Sequence, residues 1–133
     1  MFYIGKAGSF LIQEKRMEII KKALTLGEED YYTKHLSIIN PMLPKQLTPK
    51  EIEVMGAFMS LKGEIASVDR FGTTCRKIVK AKLGLSDGGL GNYIKSLKEK
   101  GFILFNSESI MYIPKILFAD KESQGYMFKI IKK

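Results

Sequence analysis

Between Leu47 and Leu97 the apolar residues recur three and four positions apart in three blocks, each bounded by residues that start or stop helices. The first block opens with Thr48-Pro49-Lys50-Glu51. A hydroxyl at the N-cap, proline at the first helical position and glutamate at the third form a capping box. Ile52, Met55, Phe58 and Met59 follow at helical spacing, so residues 49–62 are predicted to form an amphipathic helix packed through those side chains. In the second block Thr73 or Thr74 caps a helix whose inward positions are Cys75, Ile78, Val79 and Leu83, with Arg76, Lys77, Lys80 and Lys82 outside. Gly84-Leu85-Ser86 then makes a turn, with Ser86 or Asp87 as the next N-cap. The third helix carries Leu90, Ile94 and Leu97 on one face, Tyr93 beside them, and Gly101 as its stop. Two short helices meeting through so tight a turn need a shared apolar seam. Ile78, Val79, Leu83, Leu85, Leu90, Ile94 and Leu97 are the residues available for it.

Beyond Gly101 the period shortens. Residues 102–105 and 110–113 read as strands joined by the turn-rich Asn106-Ser107-Glu108-Ser109, and residues 126–131 read as a last strand after the polar loop 120–125. The connector 64–72 has room for a short strand at residues 67–71. Upstream, Phe2-Tyr3-Ile4 and Phe10-Leu11-Ile12 flank Gly5-Lys6-Ala7-Gly8, a candidate hairpin. From Gln13, the spacing of Met17, Ile20, Ala23 and Leu24 predicts a helix ended by Gly27. Residues 28–39 present Tyr31, Tyr32, His35, Leu36 and Ile39 on a further helical face before Pro41 and Pro44 break the chain. The stretch 40–46 is therefore read as a linker. It separates an N-terminal arm, residues 1–46, which is a candidate for oligomerisation or partner binding, from a domain at residues 47–133. The predicted class is α+β.

Composition sharpens this picture in one place. The 133 residues carry a formal net charge of +8 at neutral pH, enough chain for one compact domain with arms. Residues 70–100 alone hold eight Lys/Arg against two Asp/Glu. A concentrated basic surface attracts polyanions, nucleic acid first, although a lysine-rich solvated face that binds nothing has the same composition. The single cysteine, Cys75, has no intramolecular disulfide partner and reads as a small buried hydrophobe in a reducing compartment. The N-terminus does not resemble a signal peptide, and no apolar run approaches the roughly 18 residues of a membrane span. A cytoplasmic protein with no membrane partner is expected.

Two helices, a Gly turn and a glycine exit into an apolar strand follow the order of a helix-turn-helix running into a wing. In residue detail the chain resembles winged helix-turn-helix DNA-binding proteins. Residues 47–54, Leu-Thr-Pro-Lys-Glu-Ile-Glu-Val, are similar to the opening helix of many bacterial and phage regulators. Residues 94–103, Ile-Lys-Ser-Leu-Lys-Glu-Lys-Gly-Phe-Ile, resemble the exit of a recognition helix into its strand. Residues 111–118, Met-Tyr-Ile-Pro-Lys-Ile-Leu-Phe, are similar to the strand-then-proline segment after the wing in plasmid replication initiators. The likeness spans residues 47–118, and residues 1–46 match no family pattern. It implies a three-helix core plus a β-hairpin wing, with the helix at about residues 86–100 entering the major groove of double-stranded DNA. The small size and the unplaced N-terminal arm suggest a phage or mobile-element origin.

On that motif Ser86, Gly88, Gly89, Asn92, Lys95 and Ser96 face the groove. Asn92 is suited to pair bidentately with adenine and Lys95 to reach guanine or phosphate. Thr73, Thr74, Arg76, Lys77, Lys80 and Lys98 are candidate phosphate contacts, and Asn106, Ser107 and Ser109 candidate wing contacts. The helix begins Asp87-Gly88-Gly89-Leu90-Gly91, where related proteins carry base-reading side chains. The glycines permit close backbone approach to DNA, with N–H groups at the helix start gripping a phosphate. The alternative is a frayed helix of low specificity in a protein-binding module.

Other chemistries find little in the chain. His35 is the only histidine and sits among aromatic and aliphatic residues, more suited to packing than to catalysis. One Cys and one His do not make a Cys/His zinc set. Gly88-Gly89-Leu90-Gly91 lacks the preceding strand and third-glycine spacing of a dinucleotide loop, and there is no phosphate loop of the Gly-Lys-Ser/Thr kind. No enzyme activity, metal or cofactor is expected. Three functions remain open: a transcriptional regulator that dimerises through its arm, a replication or genome-handling protein of the same fold, and a winged-helix adaptor docking on a polymerase or virion component.

Overall fold

The computed structural model describes residues 2–4 and 20–133. The chain is α+β, and the described residues form two compact units. One draws on residues 1–26 together with Ala119–Lys133, and the other is Gly27–Phe118.

The first unit holds a three-stranded sheet. β1 (Phe2–Ile4) lies between β2 (Ile20–Lys22), which runs parallel to it, and β5 (Tyr126–Phe128), which runs antiparallel. Phe2 pairs with Ile20 on one side and with Phe128 on the other. This corrects the helix expected from Gln13 to Gly27 over residues 20–22, which are strand, while residues 13–19 lie outside the described residues. A non-local backbone ladder overrides a local three-and-four spacing that only a few residues supported. The expected strand at residues 10–12 lies outside the described residues. The last strand ends at Phe128 and joins the N-terminal strand, so the domain drawn over residues 47–133 does not extend past Phe118 as one unit.

The second unit contains all five α-helices among the described residues. α1 (Glu28–Ile39) carries Tyr32, His35 and Leu36 inward. It meets α2 (Pro49–Met59) at Gly56, where an added Cβ would overlap the Thr33 methyl. The segment between these helices is clamped as well. The Asn40 side chain donates to the Leu47 carbonyl (3.0 Å) and accepts from its N–H (2.7 Å). The boundary placed at residues 46/47 therefore falls inside this unit, and α1 belongs with the helices that follow.

α2 starts as its sequence requires. Thr48 caps the Glu51 N–H, and Glu51 Oε1 accepts from the Thr48 N–H at 2.8 Å. It ends at Met59, three residues earlier than expected. There the half-buried Arg70 guanidinium donates to the carbonyls of Phe58 (2.7 Å) and Leu61 (3.2 Å) and lies 5.1 Å from the Phe118 ring centre. Gly63, at φ +97°, then turns the chain into α3 (Glu64–Val68). A helical turn thus replaces the short strand expected at residues 67–71, and Ala66 is its buried side chain.

Cys75 and Val79 of α4 (Thr73–Leu83) and Leu90, Ile94 and Leu97 of α5 (Asp87–Glu99) close the core with Val54, Met55, Phe58 and Met59. The Phe58 and Phe71 rings pack at a tilt of 42°, 4.5 Å between their centres. His35 Nε2 donates to the Leu117 carbonyl (2.9 Å), which ties α1 to the segment after the last hairpin. That hairpin is β3 (Leu104–Phe105) against β4 (Met111–Tyr112), antiparallel, with Leu104 opposite Tyr112 and Phe105 opposite Met111.

Candidate nucleic-acid interface

The site grows from the α4–α5 turn. Gly84 adopts the left-handed conformation (φ 64°), which a side chain disfavours, and the Leu85 N–H returns to the Lys80 carbonyl at 3.0 Å. Ser86 then caps α5, its hydroxyl accepting from the Gly89 N–H at 3.0 Å. At the other end Phe102 N–H bonds the Leu97 carbonyl (2.9 Å), and Gly101 (φ 82°) releases the chain into β3.

Helical geometry sorts α5 into faces. Leu90, Ile94 and Leu97 point into the core. Gly88, Asn92, Lys95 and Glu99, spaced four, three and four apart, lie directly opposite and are exposed. The two flanks are occupied by neighbours from this chain. On one, Ser96 donates to Glu51 Oε2 (2.6 Å) and Lys100 donates to Glu51 Oε1 (2.5 Å) and to the Gln46 carbonyl (2.9 Å). On the other, Asp87 binds the Lys80 ammonium, and the Lys98 ammonium lies 5.7 Å from the Phe105 ring centre.

Glu51 is nearly inaccessible to solvent yet charged. Burial pushes its carboxyl up, but the hydrogen bonds from Lys100, Ser96 and the Thr48 N–H, with the Lys100 charge, outweigh burial and hold it below the ordinary glutamate value. It locks the start of α2 to the end of α5. The Asp87 carboxyl is also held down, by its hydrogen bond and charge interaction with Lys80, with a smaller contribution from Lys77.

The predicted contacts therefore divide. Gly88, Asn92 and Lys95 share the outward face, with Gly89 half-buried at its edge. Ser96 does not join them, because its hydroxyl turns inward to Glu51. Ser86 uses its hydroxyl as a cap. On α4, Thr73, Thr74 and Lys77 are exposed, but Gly72 is the N-cap in place of either threonine. Arg76 Nε donates to the Phe71 carbonyl (2.7 Å), and Lys80 is engaged by Asp87. Ile78, expected in the seam, is exposed, whereas Cys75 and Val79 are buried. In the hairpin, Asn106 Oδ1 accepts from the Glu108 N–H (2.8 Å) and the Ile110 N–H (3.1 Å), so this side chain shapes the turn that leaves Ser107 and Ser109 exposed. Among the described residues no carboxylate lies within ion-pair distance of Lys77, Lys95 or Lys98.

Sequence reasoning missed three features of this surface. One is the Glu51–Ser96–Lys100 lock, for which no local signal exists across 45 to 49 positions. Another is the carboxylate of Asp87 set against Lys80. The third is the exposure of Leu104, Phe105 and Tyr112 on the hairpin, whose strands, expected over residues 102–105 and 110–113, are only Leu104–Phe105 and Met111–Tyr112.

Among the described residues no group of three His, Cys, Asp or Glu side chains is placed to hold a metal, and no helix is long and apolar enough to cross a membrane. No protein-family model matches the chain, and neither does any curated protein or solved structure.

Proposed function

We propose that the second unit is a winged helix-turn-helix module that binds double-stranded DNA, in the capacity of a transcriptional regulator. α2, α4 and α5 are its three-helix core, α5 its recognition helix and β3–β4 its wing. The observation that carries this reading is the outward face of α5. Gly88, Asn92 and Lys95 stand opposite the core stripe, with Glu99 at the far end of that face, and Lys77 on α4 and Lys98 on the adjoining flank lie near it, all three lysines without an ion-pair partner among the described residues. A helix held at both ends, with its polar face clear of the rest of its unit, suits a major groove. In this role Asn92 pairs with adenine and Lys95 reaches guanine or phosphate. Lys77, Thr73 and Thr74 meet the backbone beside the groove, and Ser107 and Ser109 reach the flanking backbone from the wing tip. Gly88 adds no side chain between helix and DNA, and a Cβ there would meet nothing within the protein.

Selection from random-sequence duplexes at two salt concentrations tests this, followed by affinity measurements on Asn92→Ala and Lys77→Ala. Asn92→Ala should flatten sequence preference while Lys77→Ala weakens all sequences alike. Wild-type behaviour of both variants on selected and random DNA would remove α5 from the interface.

A further inference from the structure

The hairpin presents apolar side chains on both of its faces. Leu104 and Tyr112 share one face and Phe105 and Met111 the other, because cross-strand partners lie on the same side of a ladder. Phe105 is 56% exposed and Tyr112 41%, so neither ring is fully used by the fold. The Lys98 ammonium sits over one face of the Phe105 ring, 5.7 Å from its centre, which leaves the opposite face for a base, and it has no carboxylate within ion-pair distance among the described residues.

We infer that Phe105, with Lys98, is a stacking site for an unpaired base, and that the preferred ligand is DNA with single-stranded nucleotides adjoining a duplex. The inference rests on the DNA-binding reading above and names the kind of DNA. An exposed ring offers a flat face to any base, and a cation at that ring meets the phosphate of the same nucleotide. Within a continuous duplex both faces of each base are already stacked, so the ring gains a base only where one is unpaired or at an end. Charge favours nucleic acid over an apolar protein partner here. Lys95 lies one turn before Lys98 on α5 and Lys115 follows β4, against Glu99 and Glu108 as the opposing charges, and Asn106 and Ser107 interrupt the apolar surface at the tip.

The test uses the full chain, a blunt duplex, and the same duplex with a short single-stranded extension carrying 2-aminopurine at its first unpaired position. The wild type should bind the extended probe about tenfold more tightly, the effect of one stacked base, and quench its fluorescence. Phe105→Ala should bind both probes equally without quenching, and Phe105→Tyr should behave as wild type. Equal preference in Phe105→Ala and wild type, or binding without quenching, overturns the stacking site. If the wild type binds both probes alike and Lys95→Ala weakens that binding, the stacking site is wrong and the DNA-binding reading stands. If the wild type binds neither probe at low salt both fall, and the exposed rings belong to a protein contact.

Discussion

Replacing Glu51 by alanine should cost about 3 kcal/mol of folding stability. Its carboxylate accepts from the Thr48 N–H, the Ser96 hydroxyl and the Lys100 ammonium, and truncation leaves all three without that acceptor. Thr48 still caps the N–H of residue 51, and loss of the reciprocal Thr48 N–H bond costs about 1 kcal/mol. Breaking a buried ion pair from one side costs about 3–5 kcal/mol. The lower end applies, because the Lys100 side chain is 23% exposed and keeps the Gln46 carbonyl. Glu51→Gln preserves shape and acceptor while removing charge, so about half that loss is expected. The pH dependence has a definite sign. A carboxyl held below its unfolded value contributes stability that is fully present above about pH 4.3 and is lost as pH falls through the folded value. Urea unfolding at neutral and acid pH measures both effects. The wild type should lose stability below about pH 4 more steeply than Glu51→Gln. A Glu51→Ala variant within about 0.5 kcal/mol of wild type, or identical acid limbs in the two proteins, would refute the lock between α2 and α5.

Gly56→Ala should destabilise by about 1–3 kcal/mol in the same assay, despite alanine's better helix propensity, because its methyl would overlap Thr33 on α1. Gly91→Ala should do the reverse, stabilising by up to about 1 kcal/mol, since its Cβ meets nothing within 4 Å. Asp87→Asn should tighten binding to every DNA sequence and steepen its salt dependence by about one ion, by releasing Lys80 from its carboxylate. Unchanged affinity in that variant would mean that Lys80 does not reach phosphate.

What the sequence made legible is what is local. The Thr48–Glu51 box is complete within four residues, and the Leu90, Ile94, Leu97 stripe sits within three turns bounded by Ser86 and Gly101. α1 was readable from its aromatic and aliphatic face. α3 was not, because five residues are too few for a period to show. The partner of β5 lies more than a hundred positions away at β1, and no pattern within residues 126–131 points there. Ser96 was read outward from its place in the motif. On the helix it lies to one side of the Asn92–Lys95 face, and Glu51 of α2 captures it. Ile78 was read inward as an apolar residue beside Val79, but the core takes Cys75 and Val79 at a spacing of four and leaves Ile78 outside.

The same distinction governs the charge. Of the eight basic residues between Arg70 and Lys100, five are engaged within the protein. Arg70 caps α2, Arg76 holds the Phe71 carbonyl, and Lys80, Lys82 and Lys100 bind Asp87, Glu29 and Glu51. Lys77, Lys95 and Lys98 remain on the proposed interface. If those three neutralise phosphates, the logarithm of the DNA affinity should fall against the logarithm of salt with a slope of about −3. Were all eight engaged, it would be about −7. A titration over a fourfold range of salt separates the two. A slope near −7 would mean that the internal pairs open on binding, and α5 would no longer be the rigid reader that its lock to Glu51 implies. A slope near −3 that drops by about one in Lys95→Ala would tie the electrostatic attraction to the outward face of the helix itself.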